Sequence, residues 1–285
     1  MSDMRPAIIR FCGAGQDAAR FGILEYALPR TLASAETFSQ SRGMTDFRTL
    51  AQDAEAAMRD VFEPTPLQRN DHLSERYHAE ILLKREDLSP VRSYKLRGAF
   101  NAMRKVLADT PDTRHFVCAS AGNHAQGVAF MCRHFGVEGV IFMPVTTPQQ
   151  KIGKTEKFGG DAVSIRLTGD YFDDTLAAAQ AYCTEIKGHF LSPFDDEDVI
   201  GGQASVGVEI EAQAETMPDI IIMPVGGGGL SAGVRSYLGD RTRLVLVEPE
   251  GGACLKAAME NGQPTRLQHV DNFADGAAVA QIGER

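Results

Sequence analysis

Ile220-Ile221-Ile222-Met223-Pro224-Val225-Gly226-Gly227-Gly228-Gly229-Leu230 decides the fold. The continuous apolar run reads as a strand buried on both faces, as in a parallel sheet covered by helices. Four glycines then turn the chain sharply and expose several backbone N–H groups to an anion. A helix predicted over 230–238 starts there, and its N-terminus adds partial positive charge. The stretch therefore predicts a phosphate cradle between a buried strand and a helix. A bare strand–helix turn needs fewer glycines.

The same residues allow a competing reading. Gly227-x-Gly229-x-x-Ala232 matches a dinucleotide fingerprint, and Glu248 ends the next strand about 20 residues on. Against it, the fingerprint lies late in the chain, with too little sequence after Glu248 for the remaining strands of such a domain.

Outward from this point the rhythm repeats. Strands are predicted over 79–84, 116–119, 140–144, 162–166, 189–191 and 244–247, with helices over 45–61, 94–107, 123–135, 149–158, 171–186 and 199–214. Such alternation implies an α/β fold with a parallel sheet wrapped by helices. A length of 285 residues fits two modest lobes, and 43% hydrophobic with 24% charged residues supports a packed core. A net charge of −9 argues against a nucleic-acid groove. No apolar run approaches the roughly 20 residues of a membrane-spanning helix. Cys12, Cys118, Cys132, Cys183 and Cys254 are scattered and odd in number, so they read as reduced, mostly buried thiols of a cytosolic protein rather than a disulfide or zinc framework.

Both ends differ from the middle. Residues 1–43 hold Arg5, Arg10, Arg20, Arg30 and Arg42 but no lysine, while Asp3, Asp17, Glu25 and Glu36 argue against a transit peptide. This part reads as a loosely ordered extension, and Met44, just before an amphipathic helix pattern, as the natural start of translation. At the other end, residues 273–285 close without a predicted helix, as if cut inside a domain.

Two more segments carry chemistry. Ser120-Ala121-Gly122-Asn123-His124-Ala125-Gln126-Gly127 joins a strand to a helix, and its small residues offer backbone N–H groups to a carboxylate. Lys84-Arg85-Glu86-Asp87 precedes Ser93-Tyr94-Lys95-Leu96-Arg97-Gly98-Ala99, where Lys95 opens a helix. A helix N-terminus disfavours a cation, which favours the neutral amine that Schiff-base chemistry needs. By itself, a lone lysine reads as solvated surface. Gly153-Lys154-Thr155 ends like a phosphate-binding loop but lacks its first glycine, so Lys151, Lys154 and Lys157 read as a solvated helix face.

Taken in order, 93–99, 120–124 and 226–230 resemble the fold-type II pyridoxal 5'-phosphate (PLP) enzymes, tryptophan synthase β-like in architecture, and most of all the biosynthetic threonine dehydratases (threonine ammonia-lyases). The resemblance implies two lobes of parallel or mixed sheet with helices on both faces. The larger lobe takes 45–115 and 187–285, the smaller inserted lobe 116–186, and 1–44 stays outside. It implies Lys95 as the Schiff-base lysine and α-proton base, and Asn123 on the cofactor's ring hydroxyl. Gly226, Gly227, Gly228, Gly229 and Leu230 take its phosphate. Ser120, Ala121, Gly122, Asn123 and His124 grip the substrate carboxylate. The implied reaction converts threonine to 2-oxobutanoate and ammonia, and serine to pyruvate, on the way to isoleucine, in a cytoplasmic homodimer or homotetramer. Racemisation of serine and deamination of hydroxyaspartate are alternatives within the fold, and a nicotinamide-dependent oxidoreductase outside it. Tyr94 stands where these families usually have Phe. Glu248 matches one cation ligand of serine racemases, but Gly252 and Cys254 fill the later positions, so no metal is expected. The usual residue facing the pyridine nitrogen lies beyond Arg285.

Overall fold

The computed structural model describes residues 21–24 and 46–285. Most of the expected extension, Met44 and Cys12 lie outside the described residues. Its described part is β1 (Phe21–Leu24). Next comes α1 (Phe47–Met58), shorter than expected, which buries Phe47, Ala51, Ala54 and Met58 on one face at helical spacing. β2 (Leu67–Arg69), α2 (Asp71–Tyr77) and β3 (Leu82–Lys84) follow. β2 and α2 were not expected. α2 is too short and polar for a hydrophobic period, and the Asn70 side chain caps it by accepting from the Leu73 N–H at 2.9 Å.

From α3 (Lys95–Asp109) the expected alternation is observed: β4 (His115–Ala119), α4 (Asn123–Phe135), β5 (Glu138–Met143), α5 (Gln149–Gly159), β6 (Val163–Leu167), α6 (Phe172–Glu185), β7 (His189–Phe190), α7 (Glu197–Gln213), β8 (Ile220–Pro224), α8 (Gly229–Leu238) and β9 (Arg243–Pro249). An unexpected α9 (Cys254–Asn261) comes last. The described strands form a parallel four-stranded sheet, β6-β5-β4-β7, a mixed three-stranded sheet, β1-β9-β8, and an antiparallel pair, β2-β3.

The four-stranded sheet is covered on both faces. Phe116, Cys118, Ile141 and Met143 pack with Val128, Ala129 and Met131 of α4. Val117, Ala119, Val140 and Phe142 point the other way, onto Ala179 and Cys183 of α6. Cys118, Cys132, Cys183 and Cys254 are free, buried thiols, as expected.

β8 is not the strand buried on both faces that its apolar run predicts. Met223 is buried, but Ile220 and Ile222 are 41% and 68% exposed. Among the described residues β8 pairs only with β9, so it is an edge strand with one face on α7 and α8 and the other open. An all-apolar run cannot reveal which of its faces finds a cover. No described helix is long and apolar enough to cross a membrane.

Candidate active site

Lys95 is the first residue of α3, and its backbone N–H donates to Ser93 Oγ at 3.1 Å. Its Nζ donates to the Pro193 carbonyl at 2.7 Å, with the Tyr94 and Phe194 ring centroids 5.5 and 5.8 Å away. This apolar wrapping, by desolvation, lowers the amine pKa to about 8. The depression expected from the helix N-terminus is thus present, but its cause is burial.

Helix α4 reaches the same place. A Cβ on Gly127 would lie 3.2 Å from the Lys95 carbonyl carbon and oxygen and from the Leu96 nitrogen. Only glycine there lets two helix backbones approach so closely. The loop before α4 is braced by Ser120, whose Oγ accepts from the Gly122 N–H at 3.1 Å. Asn123 is exposed, and its Nδ2 is 4.0 Å from where a Cβ on Gly276 would sit. His124 is only 3% exposed, and its Nε2–H donates to the Leu191 carbonyl at 3.1 Å. Burial, and next the charge of Lys95, push its pKa down to about 3, so the imidazole is neutral. The His124 ring is thereby engaged in bracing the loop.

The glycine loop joins β8 to α8. Gly228 has φ 93°, a conformation that side chains resist, and α8 opens at Gly229. A Cβ on Gly227 would fall 2.2 Å from the Phe194 ring, and one on Gly229 would fall 2.9 Å from the Phe194 carbonyl oxygen. The Gly227 carbonyl accepts from the Gly283 N–H at 3.1 Å. Gly226 faces Ala277 and Val279, and its carbonyl accepts from Cys254 Sγ at 3.5 Å.

Residues 191–196, between β7 and α7, therefore join all three expected segments. Leu191 holds His124, Pro193 holds Lys95, and Phe194 lies against the glycine loop. Asp195 accepts from the Glu284 and Arg285 N–H groups, both at 3.2 Å. Asp196 caps α7 by accepting from Asp198 and Val199, both at 2.9 Å. The sequence reading missed this hub and the 276–283 segment. Asp196 before a helix pattern was a legible cap, but Pro193 and Phe194 meet Lys95 from nearly a hundred residues away and the glycine loop from more than thirty, which leaves no local signature.

Glu248 is 1% exposed, and its carboxylate accepts from the Leu255 and Lys256 N–H groups at 2.7 and 3.0 Å. It caps α9 and cannot also hold a ribose, which removes the support for a dinucleotide. Among the described residues no three His, Cys, Asp or Glu gather as a metal set.

These features fit PLP. A lysine amine with a depressed pKa and a side-chain-free anion cradle abut one short segment, and the cradle opens a helix.

A family model described as pyridoxal-phosphate dependent enzyme matches residues 58–285. The chain belongs to this PLP-dependent enzyme family, and PLP is the family's cofactor. It is 49% identical over 230 residues to the L-threonine dehydratase biosynthetic IlvA of Bacillus subtilis, covering 80% of this chain and 54% of that protein. It is 47% identical over 240 residues to the protein of the same name from Lactococcus lactis, covering 82% and 58%. The chain thus spans little more than half the length of these relatives. Among solved structures, the processed form of threonine deaminase isoform 2 from Solanum lycopersicum matches with a TM-score of 0.76 at 38% identity, covering 85% of this chain and 71% of that one. The family resemblance and the α/β fold expected from the three motifs are both borne out.

Proposed function

We propose that this chain carries out the PLP-dependent dehydration and deamination of L-threonine to 2-oxobutanoate and ammonia, in isoleucine biosynthesis, with L-serine to pyruvate as a side reaction. The observation that carries this is the meeting of Lys95, the Asn123 loop and the glycine loop on residues 191–196. Similarity to threonine dehydratases and a threonine deaminase supports the choice of substrate.

Bound PLP supplies an electron sink for the pair left at the substrate's Cα. Lys95 would hold the cofactor through its amine, and the same amine would take the proton from the substrate's Cα. A pKa of about 8 suits both tasks near neutral pH. The backbone N–H groups of 120–124 hold the carboxylate, and the Asn123 amide meets the ring hydroxyl. The N–H groups of Gly226, Gly227, Gly228, Gly229 and Leu230 hold the phosphate. Overall, the proton from Cα and the β-hydroxyl are lost together as one water, and one water is taken up again when the released enamine hydrolyses to 2-oxobutanoate and ammonia. In this reading 45–115 with 187–285, and 116–186, form two lobes around the cofactor, and the protein works as a cytoplasmic homo-oligomer.

The test is keto-acid formation by the purified chain with PLP. 2-Oxobutanoate from threonine, faster than pyruvate from serine, is expected. A preference for hydroxyaspartate, or D-serine formed from L-serine, would reassign the reaction within the family.

A further inference from the structure

The cofactor proposed above has two ends a fixed distance apart, so the lysine amine and the phosphate cradle must be held at a matching span. Nothing in the local sequence of either motif sets that span. Residue 194 touches both. Its ring centroid lies 5.8 Å from Lys95 Nζ, and the carbonyl just before it accepts that amine's hydrogen bond at 2.7 Å. On the other side, the ring fills the volume a Cβ on Gly227 would enter, with three ring atoms between 2.2 and 2.5 Å. The residue's own carbonyl oxygen stands 2.9 Å from the Cβ position of Gly229. Gly227 is not among the positive-φ glycines, so its backbone would accept alanine. The atoms nearest its Cβ position all belong to the Phe194 ring. The segment is anchored on both flanks, by His124 at Leu191 and by the Asp196 cap of α7.

We propose that Phe194 is a positioning residue that gauges the span between Lys95 and the glycine loop, so that PLP is gripped at both ends at once. This rests on the reading of those two motifs as the ends of the cofactor site. A ligand held at two points gains affinity only when the points match its length. Pyridoxal, which lacks the phosphate, keeps the lysine and ring contacts but not the cradle. Loss of the gauge should therefore weaken PLP selectively, whereas loss of general packing should weaken both.

The experiment titrates PLP and pyridoxal, by visible absorbance, into the cofactor-free full chain. Variants are Phe194→Ala, Phe194→Leu, Gly227→Ala and the Phe194→Ala/Gly227→Ala double variant, with thermal unfolding followed in parallel. For Phe194→Ala, PLP affinity should fall roughly tenfold or more while pyridoxal affinity stays within about twofold. Phe194→Leu, which keeps most of the apolar volume, should fall between. Gly227→Ala should lose PLP affinity, and the double variant should regain part of it because the blocking ring is gone. Equal losses for PLP and pyridoxal, a silent Gly227→Ala, or a double variant no better than Gly227→Ala would overturn the proposal. Wild-type chain that binds neither ligand would instead overturn the cofactor reading beneath it. If Phe194→Ala does not fold, the Gly227→Ala and Phe194→Leu titrations decide.

Discussion

Arg97 donates to Glu209 through Nη1 at 2.6 Å and Nη2 at 2.8 Å, beneath the first turn of the helix that Lys95 opens. The Arg97 side chain is 0% exposed and that of Glu209 1%. Arg97 also binds Glu86, Ser205 and Thr65, while Glu209 also accepts from Lys84 and Arg59. Three cations and two carboxylates thus tie α3 to α7 and to the segment around β3.

Removing one member strands the others in a dry site. Glu209→Ala is expected to cost about 3–5 kcal/mol of stability, read by urea unfolding. A loss under about 1 kcal/mol would mean that water solvates the network.

The same group sets an acid limit. Burial pushes Glu209 up, but hydrogen bonding and the charges of Arg97 and Lys84 outweigh it, leaving the pKa lowered from 4.5 to about 2. Because the folded value is depressed, this stabilisation is fully present above pH 4.5 and is lost as pH falls toward 2. Stability against pH should decline through that window, and the decline should shrink in Glu209→Gln.

For Lys95 the amine must be neutral to bond the cofactor. With its pKa lowered from 10.5 to about 8, the rate of PLP capture should rise with pH and level off above about 8. Stopped-flow absorbance measures it. A plateau only near 10 would mean that the amine is solvated, and Lys95→Ala should abolish capture altogether.

Gly127 and Gly153 are both helical, so alanine brings each the same gain in helix propensity of about 0.5–1 kcal/mol. Gly153 has nothing within 4 Å of its Cβ position, whereas Gly127 faces Lys95 backbone at 3.2 Å. Gly153→Ala should therefore raise the melting temperature. Gly127→Ala should not, and it should slow PLP capture by displacing α3. Equal behaviour of the two variants would show that the α3–α4 contact gives way freely.

Because Glu248 is engaged with the N–H groups of α9, chelation by EDTA is expected to leave PLP affinity and keto-acid formation unchanged. A loss restored by a divalent cation would place a metal at this chain's site.

Local patterns carried much of the molecule. The patterns at 94–107, 123–135 and 199–214 located α3, α4 and α7 to within about two residues, although each is buried around most of its circumference. Glycine runs and helix openings marked the sites proposed for anions, since those features act through their own backbone. α9 was invisible because its cap, Glu248, comes from another element, and α2 because seven residues with Leu73 as the one aliphatic side chain carry no period.

The sequence by itself determined the α/β order, the three chemical motifs and the family they resemble, all of which depend on neighbours within a few residues. Only the tertiary structure decided that Ile220 and Ile222 of β8 face solvent, that burial is what depresses the Lys95 pKa, and that His124 is locked neutral on Leu191. It alone placed Pro193 and Phe194 between the lysine and the glycine loop. Desolvation and close packing arise from residues far apart in the chain, and they take a value only once the chain has closed on itself.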